Sequence, residues 1–88
     1  MVPKLRLDWE AHEDGTVSGE LRSDIPFGIF DVPVVIVDGS NTVKTVWVQV
    51  KHGTGILPKT SVNGTAKVML DPTYMVLAGS RRAVKRTP

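Results

Sequence analysis

The sequence predicts an all-β domain, an immunoglobulin-like two-sheet β-sandwich of about seven short strands. Three observations lead there. Apolar and polar residues alternate at period two along most of the chain, apolar residues at helical spacing are nearly absent, and Gly, Pro, Asn and Asp turn signals recur at short intervals. Strands punctuated this closely fit a sandwich better than a barrel. The 88 residues leave room for one domain with one modest core, read as a β-sandwich over residues 1–80 and a basic flexible tail over residues 81–88.

The first strand has Leu5, Leu7, Trp9 and Ala11 on one side and Lys4, Arg6, Asp8, Glu10 and His12 on the other. Glu13-Asp14-Gly15 is a turn, after which Val17, Gly19 and Leu21 resume the alternation, so the first two strands form a hairpin. Residues 23–31 lose the pattern and read as a loop that tucks Phe27, Ile29 or Phe30 into the core. Residues 32–37 are continuously apolar, as in a strand covered on both faces, with Pro33 at its start because proline donates nothing to a ladder. Asp38-Gly39-Ser40-Asn41 turns the chain into residues 42–51, the longest strand. Val46, Val48 and Val50 face one way there, and Thr45, Trp47, Gln49 and Lys51 face the other. Val43 is out of phase with Val46, which predicts a bulge.

His52-Gly53-Thr54-Gly55 is another turn, Ile56-Leu57 a short strand cut by Pro58, and Asn63-Gly64 a turn into Ala66, Val68 and Leu70. Asp71-Pro72-Thr73 breaks that strand, residues 74–78 form a last brief one, and Gly79-Ser80 releases the tail. The expected inward set is Leu7, Trp9, Leu21, Val34, Ile36, Val46, Val48, Val50, Val68, Leu70 and Val76.

Apolar residues at 41% and charged residues at 23% describe an ordinary globular composition. With no cysteine, neither a disulfide nor a thiolate metal site supplements the core. Of eleven basic residues, four are Arg81, Arg82, Lys85 and Arg86, so residues 1–80 carry seven bases against nine acids and the net charge of +2 belongs to the tail. Those four bases are the candidate phosphate or anion contacts. The few aromatics, several of them expected in the core, supply no stacking platform and weigh against nucleic acid as a partner. The longest apolar run, residues 32–37, is far too short to span a membrane, and no signal segment precedes it.

Asp8, Glu10 and His12 at i, i+2 and i+4 are the candidate ligands for a divalent ion. Strand residues two apart stand roughly 6.5 to 7 Å apart, so three such side chains would have to bend together, and a solvated strand face is the better reading. His12-Glu13 opens a His-Glu-x-x-His pattern, but Thr16 occupies the place of its second histidine. Asp14, Asp38 and Asp71 stand where aspartate shapes turns, His52 reads as an exposed turn residue, and Asn63-Gly64-Thr65 is a hairpin turn before it is a glycosylation site. No residue is assigned a catalytic role and no cofactor is expected. Trp47 and Gln49, outward on the longest strand, are the candidate protein-contact residues.

The segments Phe30-Asp31-Val32-Pro33-Val34-Val35-Ile36-Val37, Thr45-Val46-Trp47-Val48-Gln49-Val50, Val68-Met69-Leu70-Asp71-Pro72 and Val76-Leu77-Ala78 follow one another in a familiar order. The chain resembles, over residues 16–78, the small β-sandwich that follows the catalytic domain in zinc aminopeptidases related to aminopeptidase N. In that family a Phe-x-x-Pro-Val strand precedes a valine-rich strand, and a Leu-Asp-Pro turn leads into a final Val-Leu strand. The resemblance implies a non-catalytic accessory domain, excised from a metallopeptidase, that packs against a neighbouring hydrolase domain. Zinc and its His-Glu-x-x-His helix would belong to that neighbour, so no family catalytic residue carries over to this chain. The alternative is a free-standing adhesion or ligand-binding module that uses the Trp47 strand face.

Overall fold

The computed structural model of the chain describes residues 4–71 and 80–86. Among them are seven strands and no helix: β1 (Lys4–Ala11), β2 (Thr16–Ser23), β3 (Ile29–Val37), β4 (Val43–Lys51), β5 (Thr54–Ser61), β6 (Lys67–Leu70) and β7 (Ser80–Lys85). All seven belong to one mixed sheet in the order β6-β3-β4-β5-β2-β1-β7, curled into a nearly closed barrel. The all-β class holds, but the strands make one continuous sheet where two separate ones were expected. Its continuity depends on a single point, because β4 and β5 are paired only at Lys51↔Thr54. That pair closes a two-residue turn in which His52 and Gly53 both have positive φ, 55° and 82°. This is the backbone of a type I′ hairpin, whose twist suits the strands on either side.

Gly55, just beyond the turn, lets β5 pass close over β4. A Cβ there would stand 2.6 Å from the Gln49 carbonyl oxygen and 2.9 Å from a Val48 methyl. The sheet therefore folds back on itself sharply at this corner, and β2 comes to lie against β4, and β1 against β6, across the interior. Leu5, Leu7 and Trp9 of β1 meet Val17, Leu21, Val32, Val34, Ile36, Val48, Val50, Leu57, Val68 and Leu70 in one buried cluster. Each strand contributes by its alternation, one face in and one out.

Several boundaries differ from the sequence expectation for local reasons. β3 starts at Ile29, so Pro33 is inside the strand and not at its beginning. An extended residue projects its N–H and C=O toward the same neighbour, and the Pro33 carbonyl accepts from Asp71 N at 2.8 Å, past the last β3–β6 pair, Val34↔Leu70. The donor that proline lacks thus falls beyond the ladder, where none is needed. β4 carries no bulge: its register with β3 is unbroken from Ile29↔Lys51 to Val37↔Val43, and Val43 simply shares the outward face of Trp47. The irregularity lies in β5, where the pairs Val17↔Thr60 and Gly19↔Leu57 set Pro58 and Lys59 together against Ser18. Pro58 therefore sits in a bulge, where its missing N–H is tolerated, and β5 runs on through it.

Of the loop residues expected in the core, Phe30 packs against it, while Phe27 and Ile29 are exposed and Ile25 is buried in their place. Val46 is only partly buried, and Leu5, Val17, Val32 and Leu57 complete the core. Val76 and the expected strand over 74–78 lie outside the described residues.

Residues 81–86 of the segment expected as a tail are described, and residues 87 and 88 lie outside the described residues. Over Ser80–Lys85 the chain forms β7, parallel to β1 from Lys4↔Ser80 to Trp9↔Lys85. Arg86 N then donates to Trp9 O at 2.7 Å. Register puts Arg81, Ala83 and Lys85 on the same face as Leu5, Leu7 and Trp9, and turns Arg82 and Val84 outward. Ala83 packs on the core and Arg81 Nε reaches buried Asp71 Oδ2 at 2.8 Å. A basic run without large apolar groups is ordered here by backbone pairing and one buried ion pair, so burial of its own side chains is not required.

Candidate functional site

Directly paired residues of neighbouring strands point to the same face, so the β3–β4 register defines the outward surface. Trp47 stands beside Pro33 in mid-strand, Thr45 beside Val35, Val43 beside Val37, Gln49 beside Asp31 and Lys51 beside Ile29. Pairing with β6 extends the surface from Val35 to Met69 and from Val37 to Lys67. The even-numbered residues of β4 face the core, which obliges Trp47 and Val43 to face out: they are 56% and 62% exposed, and Ile29 is 61% exposed. Phe27, exposed in the loop before β3, adds a second ring to the exposed apolar set. An indole beside branched aliphatic groups, with lysines and one amide among them, is equipped for contact by burial of apolar area.

The other sequence candidates are dispersed. Asp8, Glu10 and His12 share the polar side of β1, yet Asp8 is engaged by Arg6 Nε at 2.9 Å and approached by Arg86 at 3.9 Å, while His12 Nε2 lies 2.7 Å from Ser18 Oγ. Among the described residues no three His, Cys, Asp or Glu side chains are placed to hold a metal ion. The four bases of the former tail are separated by the pleat of β7. Arg81 goes inward to Asp71, Arg82 lies outward opposite Arg6, the Lys85 ammonium lies 5.5 Å from the centroid of the Trp9 ring, and Arg86 is near Asp8. They do not form one anion site.

The turn aspartate Asp38 is more than a turn former. Asp38, buried, accepts on Oδ1 from Ser40 N at 3.0 Å, Ser40 Oγ at 2.6 Å and Thr42 N at 3.1 Å, and on Oδ2 from Asn63 N at 3.1 Å. The Ser40 hydroxyl, with the backbone donors of Asn63, Thr42 and Ser40, holds its pKa down to about 2 against the opposing effect of desolvation. One carboxylate thereby clamps the β3–β4 turn to the segment between β5 and β6. Spacing within Asp38-Gly39-Ser40 signals the local turn, but nothing local signals Asn63. No family model, no curated protein and no solved structure matches this chain.

Proposed function

We propose that the chain is a non-catalytic accessory domain that acts by docking the outward face of β3 and β4 against a neighbouring protein surface. The observation that supports this most is Trp47, 56% exposed in the middle of β4 with exposed Val43 and Ile29 on the same face. Solvent-exposed tryptophan on a regular strand is costly to leave wet and is the residue type that most often dominates a contact. In the fuller form of this reading the neighbour is the catalytic domain of a zinc aminopeptidase and the curled sheet corresponds to a two-sheet sandwich. The first part rests on the strand sequences around Pro33, Trp47 and Asp71 alone. The second rests on the two halves of the sheet being joined at one residue pair.

The test has two arms. The sequence upstream of this segment in its gene is read for a His-Glu-x-x-His helix, and that upstream part is then expressed and titrated with this domain. Trp47→Ala is expected to weaken the association by about 2 kcal/mol or more, roughly thirtyfold in Kd, without loss of fold. An upstream region lacking the motif removes the aminopeptidase form and leaves the free-standing binding module. Unchanged association in Trp47→Ala removes the docking face itself.

A further inference from the structure

The mouth of the barrel at the β1–β2 turn forms an open concavity of about 310 Å³, walled by the end of β1, Val62 and residues 64–66 between β5 and β6, and Lys85 at the end of β7. No β3 or β4 residue lines it, so it is separate from the Trp47 face. Ends of small barrels are where a curled sheet leaves concave space that no strand fills.

Its chemistry is one-sided. Ala11, Val62 and Ala66 supply apolar wall, Thr16 and Thr65 hydroxyls, His12 an imidazole whose Nε2 lies 2.7 Å from Ser18 Oγ, and Lys85 a full positive charge, and no carboxylate is among the described lining residues. Lys85 points this way because its register partner is Trp9, an inward residue, and its ammonium stands over the indole ring. Arg81 and Arg86 of the same segment have carboxylates within salt-bridge distance, Asp71 and Asp8, whereas no such pair among the described residues includes Lys85. Of the two acids of the adjoining turn, Asp14 is turned to the Thr16 hydroxyl at 2.6 Å and to Lys59 at 3.5 Å, and Glu13 is exposed and is not among the lining residues. A cation at the rim of a partly apolar concavity attracts an anion more strongly than one in open water. We propose that this mouth binds a small organic carboxylate with a branched aliphatic body, its carboxylate on Lys85 and its methyl groups against Val62 and Ala66. A free acid and the carboxyl end of a peptide present the same chemistry.

The full chain, labelled with ¹⁵N, is titrated with isovalerate and with isovaleramide, which has the same shape and no charge. Saturable shifts are expected at the amides of Gly15, Gly64, Ala66 and Lys85, with the amide bound about tenfold more weakly than the acid. Lys85→Met should lower the affinity for isovalerate by a similar factor, Lys85→Arg should retain most of it, and Trp47→Ala should leave it unchanged. A peptide ending in valine, free or amidated at its carboxyl end, distinguishes the sources: tighter binding of the free-ended peptide than of isovalerate assigns the site to chain ends, and the reverse assigns it to free acids. Equal affinity for isovalerate and isovaleramide overturns the proposal on the unmutated chain, and so do shifts located elsewhere or no saturation up to about 50 mM.

Discussion

His52, at φ 55° in the turn that joins the two halves of the sheet, occupies a conformation that glycine and asparagine adopt more readily. His52→Asn is expected to raise stability by about 0.5 kcal/mol in urea unfolding, because the native turn is kept while its backbone cost falls. Asp38 is the opposite case, a side chain that the fold uses fully. Its pKa of about 2, against an ordinary 3.8, means that the folded state favours the ionised form. The stabilisation is complete above about pH 4 and is lost as pH falls toward 2, since the unfolded chain takes up the proton first. The urea midpoint of Asp38→Asn should therefore lie below that of the unmodified chain at neutral pH and converge with it between about pH 4 and pH 2.

At the scale of elements, β7 shows how a polar segment becomes a strand. The residues that share the face of Leu5, Leu7 and Trp9 are Arg81, Ala83 and exposed Lys85, and only the alanine is apolar, so backbone pairing with β1 and the Arg81–Asp71 contact do the ordering. The Asp71 side chain is fully buried and that of Arg81 12% exposed, so removing the guanidinium withdraws a charged partner from a carboxylate out of water. Arg81→Ala is expected to cost about 3 kcal/mol and to speed hydrogen exchange along β7, while Arg82→Ala, one residue on and exposed, should change stability by less than about 0.5 kcal/mol. Equal effects of the two substitutions would show that the ion pair does not hold the strand.

For the whole molecule, β7 covers the otherwise open edge of β1, the strand that carries Leu5, Leu7 and Trp9 into the core. Truncation before Ser80 should abolish a sharp thermal transition and expose that edge to association between chains, as followed by circular dichroism and light scattering. A cooperative transition in the truncated chain would return the segment to the status of a tail. Much of this architecture is legible in the residues. The alternation of Leu5, Leu7 and Trp9, the β-branched run around Val34, and Val48 and Val50 against Trp47 each identify a strand and the direction of its faces, because side-chain period depends only on the local backbone. The outward Trp47, the centre of the proposed contact face, follows from the same rule.

Which strand pairs with which is a different kind of information. The hydrogen-bonding edges of a strand are chemically alike whatever its side chains, so alternation cannot tell that β1 takes β2 on one side and distant β7, in parallel, on the other. Pro58 reads locally as a strand breaker, and only the extra β5 residue opposite Ser18 turns it into a bulge. Asp71 and Arg81, ten residues apart, look like a turn former and a tail cation until the fold buries them together. The sequence by itself determined the strands and their faces, since these are set by near neighbours along the chain. The tertiary structure alone decided the single curled sheet, the ordering of the basic segment and the cavity under Lys85, since each depends on contacts between residues that only closure of the barrel brings together.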